Sequence, residues 1–115
     1  MREENRNKER LQHILDAIAM VREFTDGISK ELLFTDKMRY FAVIKNIEII
    51  GEAAYMLTLE WKEAHTELPW KAIVGMRHVI VHDYINIHED LLWDTVTNDL
   101  DPLEMQIKKY LSEFE

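Results

Sequence analysis

The sequence predicts an all-α fold, an antiparallel bundle of four to five helices, from three observations. Apolar residues recur at three- and four-residue spacing over most of the chain, a pattern that lays one apolar stripe along a helix. Glycine and proline number only three and two in 115 residues, too few for a turn-rich β architecture. No internal repeat, linker or low-complexity tract interrupts the pattern, so one domain over residues 1–115 with short connections is the economical arrangement.

A first helix is expected from about Lys8 to Thr25, where Leu11, Ile14, Leu15, Ile18, Val21 and Phe24 keep helical spacing. Asp26-Gly27 breaks it, and Ser29 can start a short helical turn. Thr35 is the expected N-cap of a second long helix whose buried stripe is Val43, Ile47, Ile50, Ala54 and Leu57. Phe41, Ile44, Gly51 and Tyr55 form an adjoining stripe, so this helix can pack against two neighbours. Pro69 suits the first turn of a third helix running through Ala72, Ile73 and Val74 into "MRHVIVH". Asn86 and Glu89 approximate a capping box for a helix with Leu92, Val96 and Leu100 inside. Asp101-Pro102-Leu103-Glu104 then restarts or kinks a last helix carrying Leu103, Ile107, Tyr110 and Phe114.

Composition removes several classes of function. With 47% hydrophobic and 31% charged residues, the chain has enough apolar material for a core and is not a disordered segment. It has no cysteine, which excludes disulfides, thiolate metal sites and cysteine nucleophiles. A net charge of −8 excludes coating nucleic acid through a broad basic surface and leaves room for a local cationic site. The charged start "MREENRNKER" and the lack of an apolar run near ~20 residues give an expectation of a cytoplasmic protein with no membrane contact.

One stretch concentrates reactive groups. "MRHVIVHDY", Met76 to Tyr84, sets Arg77, His78, His82, Asp83 and Tyr84 around three consecutive β-branched residues. On a regular helix Arg77 and Tyr84 nearly superpose, His78 and His82 lie one turn apart, and Arg77 and His82 are about 140° apart. That separation requires either a helix distortion before His82 or a site completed across two subunits. Val79, Ile80 and Val81 fill much of the remaining circumference, so several neighbours, a second subunit included, would bury this segment. A strand is the rival local form for Val-Ile-Val, without a matching partner strand in the sequence.

Arg77, four residues, His82, one residue and Tyr84 resemble the R-x4-H-x-Y motif of the HepT-like branch of the HEPN superfamily. His78 occupies the polar position that follows the arginine in that superfamily. "NIEIIGEAA" from Asn46, "LPWKAIVGMRHVIVHDY" from Leu68 and "LLWDTVTNDL" from Leu91 are similar to HepT segments in the same order. After Tyr84 this chain has Ile85-Asn86 where relatives often carry an aromatic-glycine turn. The resemblance implies a HEPN helical bundle that forms a homodimer with two motifs facing one cleft. It also implies a metal-independent endoribonuclease toxin that needs no cofactor of its own. The implied partner is a minimal nucleotidyltransferase antitoxin that transfers AMP from ATP to Tyr84, and the implied substrate is RNA.

The residue types suit that chemistry. Cleavage of RNA through its 2′-hydroxyl needs a proton acceptor, a proton donor for the departing 5′-oxygen and a cation for the transition-state charge. His82 can serve as base or acid, and Arg77 can grip two phosphate oxygens in a planar fork. His78 and Asp83 are the supporting groups. AMP on Tyr84, which nearly superposes on Arg77 on the ideal wheel, would compete for the arginine and fill the cleft.

Rival assignments exist for each feature. His78 and His82 have metal-ligand spacing and His88 and Glu89 follow, but "HVIVH" lacks the glutamate of H-E-x-x-H. Asn46, Glu48 and Glu52 are either partners of Arg77 across the bundle or a solvated face. Gly51 favours close helix packing, and Trp61, Trp70 and Trp93 are better read as core anchors than as base platforms. A non-catalytic HEPN module that partners a nucleotidyltransferase is the alternative function.

Overall fold

The stripe Leu11, Ile14, Ile18 and Val21 is fully buried and forms the inner face of α1, Arg2–Thr25. The structure, a computed structural model, describes residues 2–81 and 87–114. Helix α1 begins earlier than the expected Lys8, and Asn7, in the added turns, is pinned to Thr58 just beyond the second long helix. Asn7 is buried, donates from Nδ2 to Thr58 Oγ1 at 3.1 Å, and accepts from Thr58 N at 3.1 Å. This reciprocal pair satisfies a buried amide that would otherwise destabilise the fold.

Gly27, at φ 72, takes the left-handed conformation that ends the turn after α1. Ser29 caps α2, Lys30–Thr35, by accepting from Leu32 N. The cap of α3, Lys37–Met56, is Asp36 and not Thr35, since Asp36 Oδ1 accepts from Arg39 N at 3.3 Å. Thr35 instead turns its hydroxyl back onto Glu31 O and Leu32 O. Val43, Ile47, Ile50, Ala54 and Leu57 of the central stripe are all buried, each large aliphatic contributing about 1.5–3 kcal/mol. Of the adjoining stripe, Ile44 and Gly51 are buried, whereas Phe41 and Tyr55 are exposed.

A short α4, Leu59–Ala64, follows, capped by Thr58; local spacing did not announce it. Trp61 of α4 stacks on His65 at 3.9 Å and meets Trp70 and Tyr110 edge-on. Trp61 and Trp70 are thus core anchors, as their sequence setting suggested, and His65 joins them. The phenol of buried Tyr110 donates to Glu67 at 2.7 Å. Burial and the Glu67 carboxylate push that phenol well above its ordinary value.

Helix α5 is Trp70–Ile80, preceded by Pro69. Helix α6, Glu89–Asp94, runs through a π-helical segment, Thr95–Asp99, into α7, Leu100–Ser112. The proline expected to restart or kink this helix is absorbed: Pro102 cannot donate to Asn98, and the π segment lies just before it. Helix α1 packs on α3 and α7, and α3 on α5. Arg22 pairs with Glu104 and Asp101, tying α1 to α7. The described residues contain no strand, and no helix among them is long and apolar enough to cross a membrane.

Candidate functional site

Gly51 brings α3 and α5 together. A Cβ there would meet the carbonyl oxygens of Val74 at 3.3 Å and Ile73 at 3.5 Å, so a bare α-carbon permits a close approach of the two helices. One turn earlier on the same face of α3, Glu48 reaches across to α5, and its Oε1 lies 3.1 Å from Arg77 Nε. Beside the pair opens a cleft of about 450 Å³ lined by Glu48, Gly51, Glu52, Tyr55, Val74, Arg77 and His78.

Arg77 keeps 43% of its side-chain surface exposed and Glu48 31%. An ion pair this wet contributes at most about 1 kcal/mol, so its consequence is orientation. The guanidinium has five donors in a rigid fork, and a carboxylate at Nε leaves the Nη edge able to take a second anion. Arg77 also stands in the last turn of α5, where the helix dipole favours a cation. His78, exposed, is its neighbour in the cleft. Of the three candidate partners of Arg77, Glu48 makes the contact. Asn46 donates from Nδ2 to Ala42 O within its own helix at 2.8 Å, and Glu52 lines the cleft.

The expectation that this helix runs on through "MRHVIVH" is corrected at Val81. Helix α5 ends at Ile80, and Val81 takes extended backbone at φ −96 and ψ 98. Val81 N still donates to Arg77 O at 2.7 Å, and an isolated antiparallel bridge joins Val81 to Ile87. His88 N donates to Ile80 O at 2.7 Å. These contacts bring Ile87 and His88 back against the end of α5. A break before His82 was one of the two solutions the 140° separation demanded. His82, Asp83 and Tyr84 themselves lie outside the described residues. Helix α6 then starts with His88 as its cap, Nδ1 accepting from Leu91 N at 3.2 Å, and Asn86, the expected capping residue, lies outside the described residues.

A larger cavity of about 570 Å³ lies between α5 and the α6–α7 run. Its wall is mostly apolar, and its charged residues, Glu67 and Asp99, are both acidic, which disfavours a phosphate ligand. The cleft at Arg77 is therefore the better anion site. Among the described residues, no three His, Asp or Glu side chains converge as metal ligands. Sequence reasoning missed Tyr55 as a lining residue because it was counted with an apolar stripe.

Comparison with known proteins gives a consistent assignment. A family model described as ribonuclease HepT-like matches residues 14–110. A candidate RNase of Caldanaerobacter subterraneus subsp. tengcongensis is 37% identical, over 88% of this chain and 90% of its own. A candidate ribonuclease HepT of Thermococcus cleftensis is 37% identical, over 90% of this chain and 94% of its own. A candidate RNase of Methanocaldococcus jannaschii is 35% identical, over 85% of this chain and 90% of its own. No solved structure matches. With most of its length matched by the family model and by these relatives, the chain belongs to the HepT-like ribonuclease family.

Proposed function

We propose that the chain is an endoribonuclease toxin that cleaves RNA without a metal, using Arg77 and His82, and is silenced when a partner nucleotidyltransferase places AMP on Tyr84. The observation that carries this is Arg77 itself: an exposed guanidinium at the end of α5, oriented by Glu48 in an open cleft, in a chain whose relatives are named as RNases.

In the cleavage step His82 accepts the proton of a 2′-hydroxyl, and the 2′-oxygen attacks phosphorus as the bond to the 5′-oxygen breaks. A protonated histidine, from the same or a second copy, supplies the proton the departing oxygen takes up. Arg77 offers its Nη edge to the two non-bridging oxygens, whose charge grows in the transition state. The products are a 2′,3′-cyclic phosphate and a free 5′-hydroxyl. His78 adds a polar group beside the phosphate, and Asp83 supports the histidine. A homodimer would set two such motifs in one cleft, and Val79, apolar yet 58% exposed beside His78, offers surface for a second copy to cover.

Induced expression tests the proposal. The wild-type chain is expected to arrest growth, and Arg77→Ala or His82→Ala to relieve the arrest while remaining folded dimers. Coexpression with the nucleotidyltransferase should add AMP to the intact mass, and Tyr84→Phe should remove that addition. Growth arrest unchanged by both alanine substitutions would reject the catalytic assignment and favour a binding module.

A further inference from the structure

We propose that Tyr55 is a stacking platform for the RNA base next to the cleaved phosphate, and that it selects unpaired RNA. The inference rests on the ribonuclease function proposed for the Arg77 cleft. Tyr55 lines that cleft and is 65% exposed. Trp61, Trp70, Tyr110 and Phe114 pack on one another, and Phe41, the other exposed aromatic among the described residues, lies against Tyr40. Tyr55 has no ring partner and no side-chain hydrogen bond among the described residues.

Its position relative to Arg77 follows from the helices. Glu48 faces Arg77 and Gly51 faces Val74, so α3 ascends as α5 descends. Tyr55 stands two turns beyond Glu48, about 10 Å along the axis, on the side of Arg77 away from Val81. A strand whose phosphate sits on Arg77 therefore brings a neighbouring base over the Tyr55 ring. The backbone beneath the ring is fixed, because Lys62 Nζ donates to Ala54 O at 3.2 Å and Tyr55 O at 3.4 Å, closing the end of α3. A base can lie flat on an aromatic ring only when it is out of the duplex stack, so this surface favours single strands and tolerates sequence. Glu48 and Glu52 share the cleft with Arg77 and His78, so broad electrostatic attraction is weak here and a stacked base supplies grip that charge does not.

The test compares wild type, Tyr55→Ala and Tyr55→Phe in steady-state cleavage of an unstructured RNA and in anisotropy binding of its 2′-O-methyl analogue. Tyr55→Ala is expected to raise KM and weaken binding by roughly tenfold, with most of the effect in KM and the native dimer mass retained. Tyr55→Phe, which keeps the ring, restores both. On an oligonucleotide lacking the base beside the cleaved phosphate, wild type and Tyr55→Ala converge. Equal KM for wild type and Tyr55→Ala, a Phe variant as weak as Ala, or a broken dimer overturns the stacking role while leaving the ribonuclease function standing. A wild-type protein that neither cleaves nor binds RNA overturns both.

Discussion

Replacing Gly51 by alanine and then valine separates helix propensity from helix packing at the point that builds the cleft. In a helix interior alanine is favoured over glycine by about 1 kcal/mol. The alanine Cβ would sit 3.3 Å from Val74 O, close enough that α5 must give by a few tenths of an ångström. The two effects nearly cancel, and Gly51→Ala should stay within about 1 kcal/mol of wild type. Valine keeps only a few tenths of the backbone gain. Its two methyls extend past Cβ towards the backbone of α5, where the Ile73 and Val74 carbonyls already stand, and overpacking of this kind costs about 1–3 kcal/mol. The helices must then part, and the 3.1 Å Glu48–Arg77 contact opens with them. Urea unfolding should show the midpoint of Gly51→Val lowered by roughly 1 M, and RNA cleavage should fall more in Val than in Ala. A valine variant as stable and as active as wild type would refute the close approach of α3 and α5.

Further outcomes follow from individual contacts. Glu48→Gln should change stability by no more than about 1 kcal/mol, because both partners of the pair are partly exposed; a thermal scan showing a larger loss would mean that the pair holds the fold. Asp36→Ala removes the acceptor for Arg39 N and should cost about 1 kcal/mol in denaturant unfolding. The Tyr110 phenol is raised above its ordinary 10.0 by burial and by Glu67, so its contribution is full below pH 10.0 and is lost as pH rises above it. Tyr110→Phe should therefore flatten the alkaline limb of melting temperature against pH, and an unchanged limb would contradict that burial.

The helix faces were legible because they are local. Leu11 to Val21 and Val43 to Leu57 needed only their spacing, and Ser29 needed only its position before an apolar run. The end of α5 was not legible, because it depends on Ile87 and His88 returning to pair with Val81 and Ile80. Three β-branched residues fit either a buried helix or an extended turn, and the decision is made by residues further along the chain. Capping shows the same limit on a smaller scale. Asp36 took the role assigned to Thr35, where the neighbouring residue offered a competing acceptor. At the candidate site the motif singles out Arg77, but spacing on α3 could not choose between Glu48 as its partner and Glu48 as a solvated charge. Gly51 made that choice by setting how near α5 comes.

Cleavage of a defined RNA in the presence of EDTA, with the ends of the fragments identified by mass spectrometry, decides whether Arg77 and His82 do the chemistry. Wild type is expected to leave 2′,3′-cyclic phosphate and 5′-hydroxyl ends, with Arg77→Ala lowering the rate by about 10²–10³ and His82→Ala abolishing it. Cleavage lost to EDTA, or equal rates in all three proteins, would contradict a metal-independent site built on Arg77 and His82.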